Sequence, residues 1–238
     1  MGRAFEVRKS AILKTAAAKA KVYSKYGKEI YMEAKNGEPN PEMNAGLKRI
    51  IERARQDQVP RDVIERAIEK AKGGAGEDYH AVRYEGFGPG GSSFIVECLT
   101  DNDNRTIGEV RNAFTKSNSK LGVAGSVMHG YDHVGVLGFD YTDEEEILEI
   151  LFDKEVELQE IEVEEGSMSV LVEIADLYKA KEAIEEALGD IKFEVCELTY
   201  IPHDTVTLST DDDKKMFEKL TSMLDECEDV QDVYHNIV

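Results

Sequence analysis

Three groups of residues in this chain have types and spacings that could do chemistry. Gly86-Phe87-Gly88-Pro89-Gly90-Gly91 satisfies the G-x-G-x-x-G pattern that cradles a dinucleotide pyrophosphate. That chemistry needs a helix opening directly after the loop, so that its N-terminus meets the phosphate. Here the apolar run Phe94 to Leu99 follows instead, which is a strand pattern. No H-R-D or D-F-G accompanies the loop, so a kinase-type nucleotide site is not supported either. A rigid turn with backbone angles that favour glycine is the expectation, and no cofactor is expected.

The second group, Asp101-Asn102-Asp103-Asn104, opens like a calcium loop. It then places Arg105 where an oxygen ligand belongs, Thr106 where glycine belongs and Asn112 where glutamate belongs. Capping of the following helix is the better reading. The acids at Asp143–Glu146 and Asp211–Asp213 stand at predicted helix starts, where negative charge complements the helix dipole, so no metal is expected. His129 and His133 are four apart, but Gly130 and Gly135 argue against a helix there. Cys98 lies in the apolar run and is expected to pack. No H-E-x-x-H, G-x-S-x-G or Walker loop is present, and an enzyme is not expected.

The third group is cationic. Lys14, Lys21, Lys28 and Lys35 are spaced by seven, with Lys25 beside them, and Arg3, Arg8 and Lys9 precede them. At roughly 100° per residue these lysines share a face opposite a stripe of Ile12, Ala16, Tyr23, Ile30 and Ala34. A solvated outer face is the ordinary reading of such a pattern. Only three acids, Glu6, Glu29 and Glu33, stand against nine Lys/Arg in the first 35 residues, which favours a phosphate-binding arm. Arg3, Arg8, Lys9, Lys14, Lys21, Lys25 and Lys28 are therefore the candidate nucleic-acid contacts. Tyr23 and Tyr26 could stack on bases, but their spacing fits core packing.

The elements that must position these groups follow from pattern. A helix is predicted from Arg8 to about Lys35, a second over 41–56 with Asn40 as cap and Met43 buried, and a third from Pro60 to the Gly73-Gly74 stop. Strand Phe94–Leu99 and helix 105–116 come next, then β-α-β-β-α-β over 134–199, the ferredoxin-like order. The tail predicts strand 205–208, helix 211–227 and strand 230–236, which could complete the sheet begun at Phe94. The expectation is an α+β protein of three domains. These are a basic three-helix domain (1–77), a discontinuous α/β domain (78–131 plus 202–238) and an inserted acidic ferredoxin-like domain (132–201).

Charge divides along the same lines. Residues 1–72 hold 17 Lys/Arg against 10 Asp/Glu, a net +7, whereas the remainder holds 12 against 39, a net −27. Within it, residues 132–201 hold 4 against 22, a net −18. Such a bipolar field lets an arm seek phosphate while the body limits the approach. No membrane-length apolar run and no secretory leader pattern are found, and three widely spaced cysteines imply no disulfide framework, which predicts a cytoplasmic location.

Three stretches carry a resemblance: V-P-R-D-V-I-E-R-A-I from Val59, R-Y-E-G-F-G-P-G-G from Arg83, and I-V-E-C-L-T-D-N-D-N-R-T from Ile95. With them the whole chain resembles the YebC family, cytoplasmic proteins described as probable transcriptional regulators. The signature positions are Tyr84, Glu85, Gly86, Gly88, Pro89, Gly90, Gly91, Asn102, Asn104, Arg105 and Thr106. The resemblance implies the same three-domain fold. It also implies one of two roles: a DNA-binding regulator of transcription, or a translation factor that relieves stalled ribosomes. The start departs from the G-H-S-K-W typical of the family, reading Gly2-Arg3-Ala4-Phe5-Glu6, and resembles the YeeN-like branch. Expected partners are DNA or ribosomal RNA, with ribosomal proteins meeting the acidic domain. The alternative is an acidic protein–protein adaptor.

Overall fold

The computed structural model describes residues 19–73 and 79–238, with side chains from residue 21 onward. The described residues form two compact units, 19–73 and 79–126 with Thr207–Val233, and Val127–Val206 with Tyr234–Val238. The first holds a helical part and an α/β part.

The helical part comprises α1 (Lys19–Asn36), α2 (Ala45–Gln56) and α3 (Arg61–Lys72). Its core joins Tyr26, Ile30, Tyr31 and Ala34 of α1 to Leu47, Ile51 and Ala54 of α2 and Ile64 and Ala67 of α3. Gly27 sits within α1 without breaking it. The second helix starts later than predicted. Asn44 is its cap, accepting the Leu47 N–H at 3.0 Å, and its amide also donates to the Glu33 and Glu38 carbonyls. With its side-chain oxygen and both amide hydrogens engaged, Asn44 displaces Asn40, which closes a turn instead. Met43 consequently stands 74% exposed rather than in the core.

The α/β part is a sheet in the order β3-β1-β2-β8, built from β1 (His80–Phe87), β2 (Ser93–Thr100), β3 (Lys120–Leu121) and β8 (Val230–His235). Helices α4 (Asp103–Lys116) and α7 (Asp211–Glu226) belong with it. Phe94 is fully buried, with the Phe114 ring of α4 edge-on at 6.0 Å and the Phe217 ring of α7 at 6.2 Å. The tail does complete the sheet begun at Phe94, since β8 lies beside β2 and the Leu99 N–H reaches the Asp229 carbonyl at 2.9 Å.

Strand β1 is absent from the sequence expectation, and it changes the meaning of the glycine stretch. β1 and β2 pair antiparallel from His80↔Thr100 to Phe87↔Ser93, so Gly88–Ser92 is the loop of a hairpin. Gly90 and Gly91 take φ of 66° and 79°, the left-handed region that favours glycine. A side chain at Gly88 would put its Cβ 2.2 Å from the Phe94 ring. A strand follows the loop, with only the short 3-10 turn Pro89–Gly91 between, so there is no helix N-terminus to hold a pyrophosphate.

The second unit contains β4 (Tyr131–Phe139), α5 (Glu144–Asp153), β5 (Leu158–Glu164), β6 (Ser167–Val172), α6 (Leu177–Leu188) and β7 (Phe193–Pro202). Its sheet order is β5-β6-β4-β7, all antiparallel, which is the ferredoxin-like arrangement. Leu137 and Phe139 of β4 pack with Ile147, Leu151, Leu177 and Ile184 of the two helices. The strand predicted at 205–208 is reduced to a single bridge, Val206 with Ile237, because the segment finds one partner residue rather than a ladder.

Candidate nucleic-acid interface

The candidate cations distribute unevenly. Arg3, Arg8, Lys9 and Lys14 lie outside the described residues. Lys21, Lys25 and Lys28 sit on one side of α1, and that side is not the solvated face the sequence predicts. Lys21 Nζ lies 2.9 Å from Asp225, Lys25 Nζ 2.5 Å from Asp232, and Lys28 Nζ 3.0 Å from Asp229 and 2.9 Å from the Glu228 carbonyl. The partners belong to the end of α7 and to β8, about two hundred positions away, so the helical and α/β parts meet along a row of ion pairs. Burial increases along the row. Lys21 is partly open, Lys25 about a quarter exposed, and Lys28 buried with its ammonium 5.3 Å from the Tyr79 ring centroid.

The row ends in a buried carboxylate. Asp229 is 1% exposed. Its Oδ1 accepts from Lys28 Nζ, and its Oδ2 accepts from Arg105 Nη2 at 2.6 Å, Arg105 Nε at 3.1 Å, Thr106 Oγ1 at 2.8 Å and Thr100 Oγ1 at 3.3 Å. Burial opposes its charge, but the donors from Arg105, Thr106 and Lys28 outweigh it and hold the carboxyl below the usual carboxylate range. Four elements converge here: α1 through Lys28, β2 through Thr100, α4 through Arg105 and Thr106, and the turn before β8.

This carboxylate accounts for the T-D-N-D-N-R-T stretch. Asn102 caps α4 by accepting the Arg105 N–H at 3.1 Å, as the sequence predicts. Its own N–H donates to Thr100 Oγ1. Thr106 Oγ1 lies 2.7 Å from Thr100 Oγ1, and Asp101 takes a second bond from Arg105 at 2.7 Å. The cap fixes the first turn of α4, from which Arg105 reaches both Asp229 and Asp101. Asn104 is exposed.

Sequence reasoning missed Asp229. No local pattern marks it, since its partners Lys28 and Thr106 lie 201 and 123 positions away in sequence. Of the first stretch, Glu85 is buried and accepts the Gly125 N–H at 2.6 Å, and Gly86 leaves room for the Phe114 ring. Tyr26 is core, its hydroxyl donating to Asp57 at 2.5 Å, and burial with that bond pushes its pKa far up. Cys98 is also core, and burial pushes its thiol up to about 12, which keeps it protonated. His133 stacks on Tyr200 at 4.3 Å and lies apart from these residues in sequence. Among the described residues no group of three metal-ligating side chains is assembled, and no helix is long and apolar enough to cross a membrane.

The comparisons with known proteins cover the whole chain. Residues 3–74 match the TACO1/YebC protein N-terminal domain, and residues 79–237 match the TACO1/YebC second and third domain. A probable transcriptional regulatory protein of Pseudoalteromonas translucida is 54% identical over 238 residues, covering 100% of this chain and 99% of that one. One from Vibrio cholerae serotype O1 is 52% identical over 236 residues, covering 99% and 98%. The crystal structure of a conserved hypothetical protein from Aquifex aeolicus superposes with a TM-score of 0.76 at 34% identity, covering 94% of this chain and 92% of that one. Full-length identity above half, together with both domain matches, settles the kinship the marker stretches suggested, and the chain belongs to the TACO1/YebC family.

Proposed function

We propose that this protein is a non-enzymatic regulator of gene expression that contacts nucleic acid through its basic N-terminal part. The observation that carries the reading is the segregation of charge: +7 over residues 1–72 against −18 over residues 132–201. Arg3, Arg8, Lys9 and Lys14, with Lys21 beside them, are the phosphate contacts of choice. Lys25 and Lys28 act one step back, holding α1 on the α/β part. Contacts of this kind give affinity and steep salt dependence with little sequence readout.

The ribosome is the favoured target over a promoter, with the protein acting in the cytoplasm. A body of net −27 is a poor partner for an isolated duplex, and α1–α3 present no set of side chains arranged to read base edges. Acidic surface can meet basic ribosomal proteins while the arm meets RNA. Ribosome profiles of a deletion strain test this: new pauses support it, whereas unchanged profiles with protection of a defined promoter would overturn it.

A second reading, a protein–protein adaptor, draws on α5, where Leu148 and Phe152 are 40% and 82% exposed among Glu144, Glu145, Glu146 and Glu149. Reversing Arg3, Arg8, Lys9 and Lys14 to Glu separates the two. An adaptor keeps its function in that variant, and a nucleic-acid binder loses it.

A further inference from the structure

The hairpin loop is accounted for as a turn, but one residue within it is not. Phe87 is 43% exposed in a stretch whose other members have packing or backbone roles. Gly86 and Gly88 lie against Phe114 and Phe94, Pro89 is buried, and Gly90 and Gly91 supply positive φ. Nothing in that set requires an aromatic ring at the surface.

The surroundings of Phe87 differ from the rest of this acidic protein. Phe87 stands directly opposite Lys120 in the β1–β3 register, so both side chains rise on the same face of the sheet. Between Val110 and Ser126 there is no Asp or Glu, while Arg111, Lys116 and Lys120 are present; residues 86–96 carry no charge at all. Lys116 and Lys120 are exposed and have no acidic partner among the described residues. Lys219 adds positive charge by donating to the Lys116 carbonyl at 2.6 Å. The acids that do share the Phe87 face are occupied, Glu85 by the Gly125 N–H and Glu97 by Arg83 at 3.0 Å. Val123, 77% exposed, extends the apolar surface.

An exposed ring with the unpaired Lys120 directly across from it, beside a small-residue loop that lets a strand approach closely, has the chemistry of single-stranded nucleic-acid platforms. We infer that the tip of the β1–β2 hairpin is a second nucleic-acid contact, in which Phe87 stacks on an unpaired base and Lys120 holds the neighbouring phosphate. The inference rests on the nucleic-acid reading above and assigns it a single-stranded RNA segment, separate from what the N-terminal arm holds. Double-stranded DNA offers no unstacked base to Phe87 and is not the occupant.

The test is fluorescence anisotropy of the full chain with a fluorescein-labelled, mixed-sequence RNA of about 12 nucleotides, a length within the footprint of such platforms. Phe87→Ala should weaken binding roughly five- to 150-fold, the loss expected for one stacked base, with no change in melting temperature. Phe87→Tyr should restore it and Phe87→Leu should not. Lys120→Gln should flatten the salt dependence of log K by about 0.7, the share of one phosphate on a single strand. Binding by Phe87→Ala or Phe87→Leu as tight as wild type overturns the inference while leaving the arm reading intact. Absence of RNA binding by the wild type overturns both, and loss only on neutralising Arg3, Arg8, Lys9 and Lys14 confines the contact to the arm.

Discussion

The two ends of the β1–β2 hairpin are made from neighbouring stretches of the same family marker, yet they are built to opposite rules. At the His80–Thr100 end the polar side chains close on one buried acceptor: Thr100, Arg105 and Thr106 all donate to Asp229, and Asn102 caps α4. At the Phe87–Ser93 end the backbone is tightly fixed, but an aromatic ring and the lysine across from it face water with no partner to explain them. The difference teaches that a family's most specific residues need not share a purpose. One end holds the fold together, and the other is a surface held ready for contact.

That contrast is open to breaking at either end, and the largest expected effect lies at the buried one. Asp229→Ala strands the Lys28 ammonium inside the protein and costs about 3 kcal/mol, the lower part of the range for breaking a buried pair, because Arg105 stays partly in water. Urea denaturation measures it, and a change below about 0.5 kcal/mol would mean that the network contributes little.

Next in size is the loop backbone. Gly88→Ala drives a methyl group into the Phe94 ring, which is itself packed by Phe114 and Phe217, and should cost about 1–3 kcal/mol as an overpacking change. A thermal melt reads this as a lowered Tm without loss of secondary structure.

The acid limb of stability sharpens the same comparison. Because the folded pKa of Asp229 lies below the ordinary aspartate value of about 3.9, its contribution is fully present above that value and disappears as pH falls through the folded pKa. Stability of the wild type should therefore fall more steeply than that of Asp229→Asn between about pH 4 and the lower folded pKa. Parallel urea midpoints for the two proteins over that window would remove Asp229 as the cause.

The smallest stability effect belongs to the exposed end. Phe87→Ala should shift stability by no more than about 0.5 kcal/mol, as surface substitutions do, while still reducing RNA affinity. A large loss of stability would show the ring to be structural and would erase the distinction between the two ends.

How much of this was legible in the sequence depended on how local the forces are. The ferredoxin-like unit was readable because its signals are local, as in the Asp143 cap and the apolar stripe of Ile147 and Leu151 in α5. Strand β1 was not, because Glu85 is a buried charge satisfied by a loop N–H forty positions later, which makes the strand read as polar. The late start of α2 turned on Asn44 reaching back to the Glu33 carbonyl, a contact invisible to a reading that sees only Asn40-Pro41. The lysine face failed for the most distant reason. A helix face of Lys21, Lys25 and Lys28 looks solvated until Asp225, Asp232 and Asp229 arrive from the other end of the chain.

The central claim is that this protein meets nucleic acid with its basic N-terminal part and does so at the ribosome. Crosslinking in cells, followed by sequencing of the bound RNA and DNA, measures this most directly when the wild type is compared with a variant in which Arg3, Arg8, Lys9 and Lys14 are neutralised. The account predicts crosslinks concentrated in ribosomal RNA that disappear in the variant. Crosslinks confined to promoter DNA, or a pattern unchanged by the variant, would contradict it.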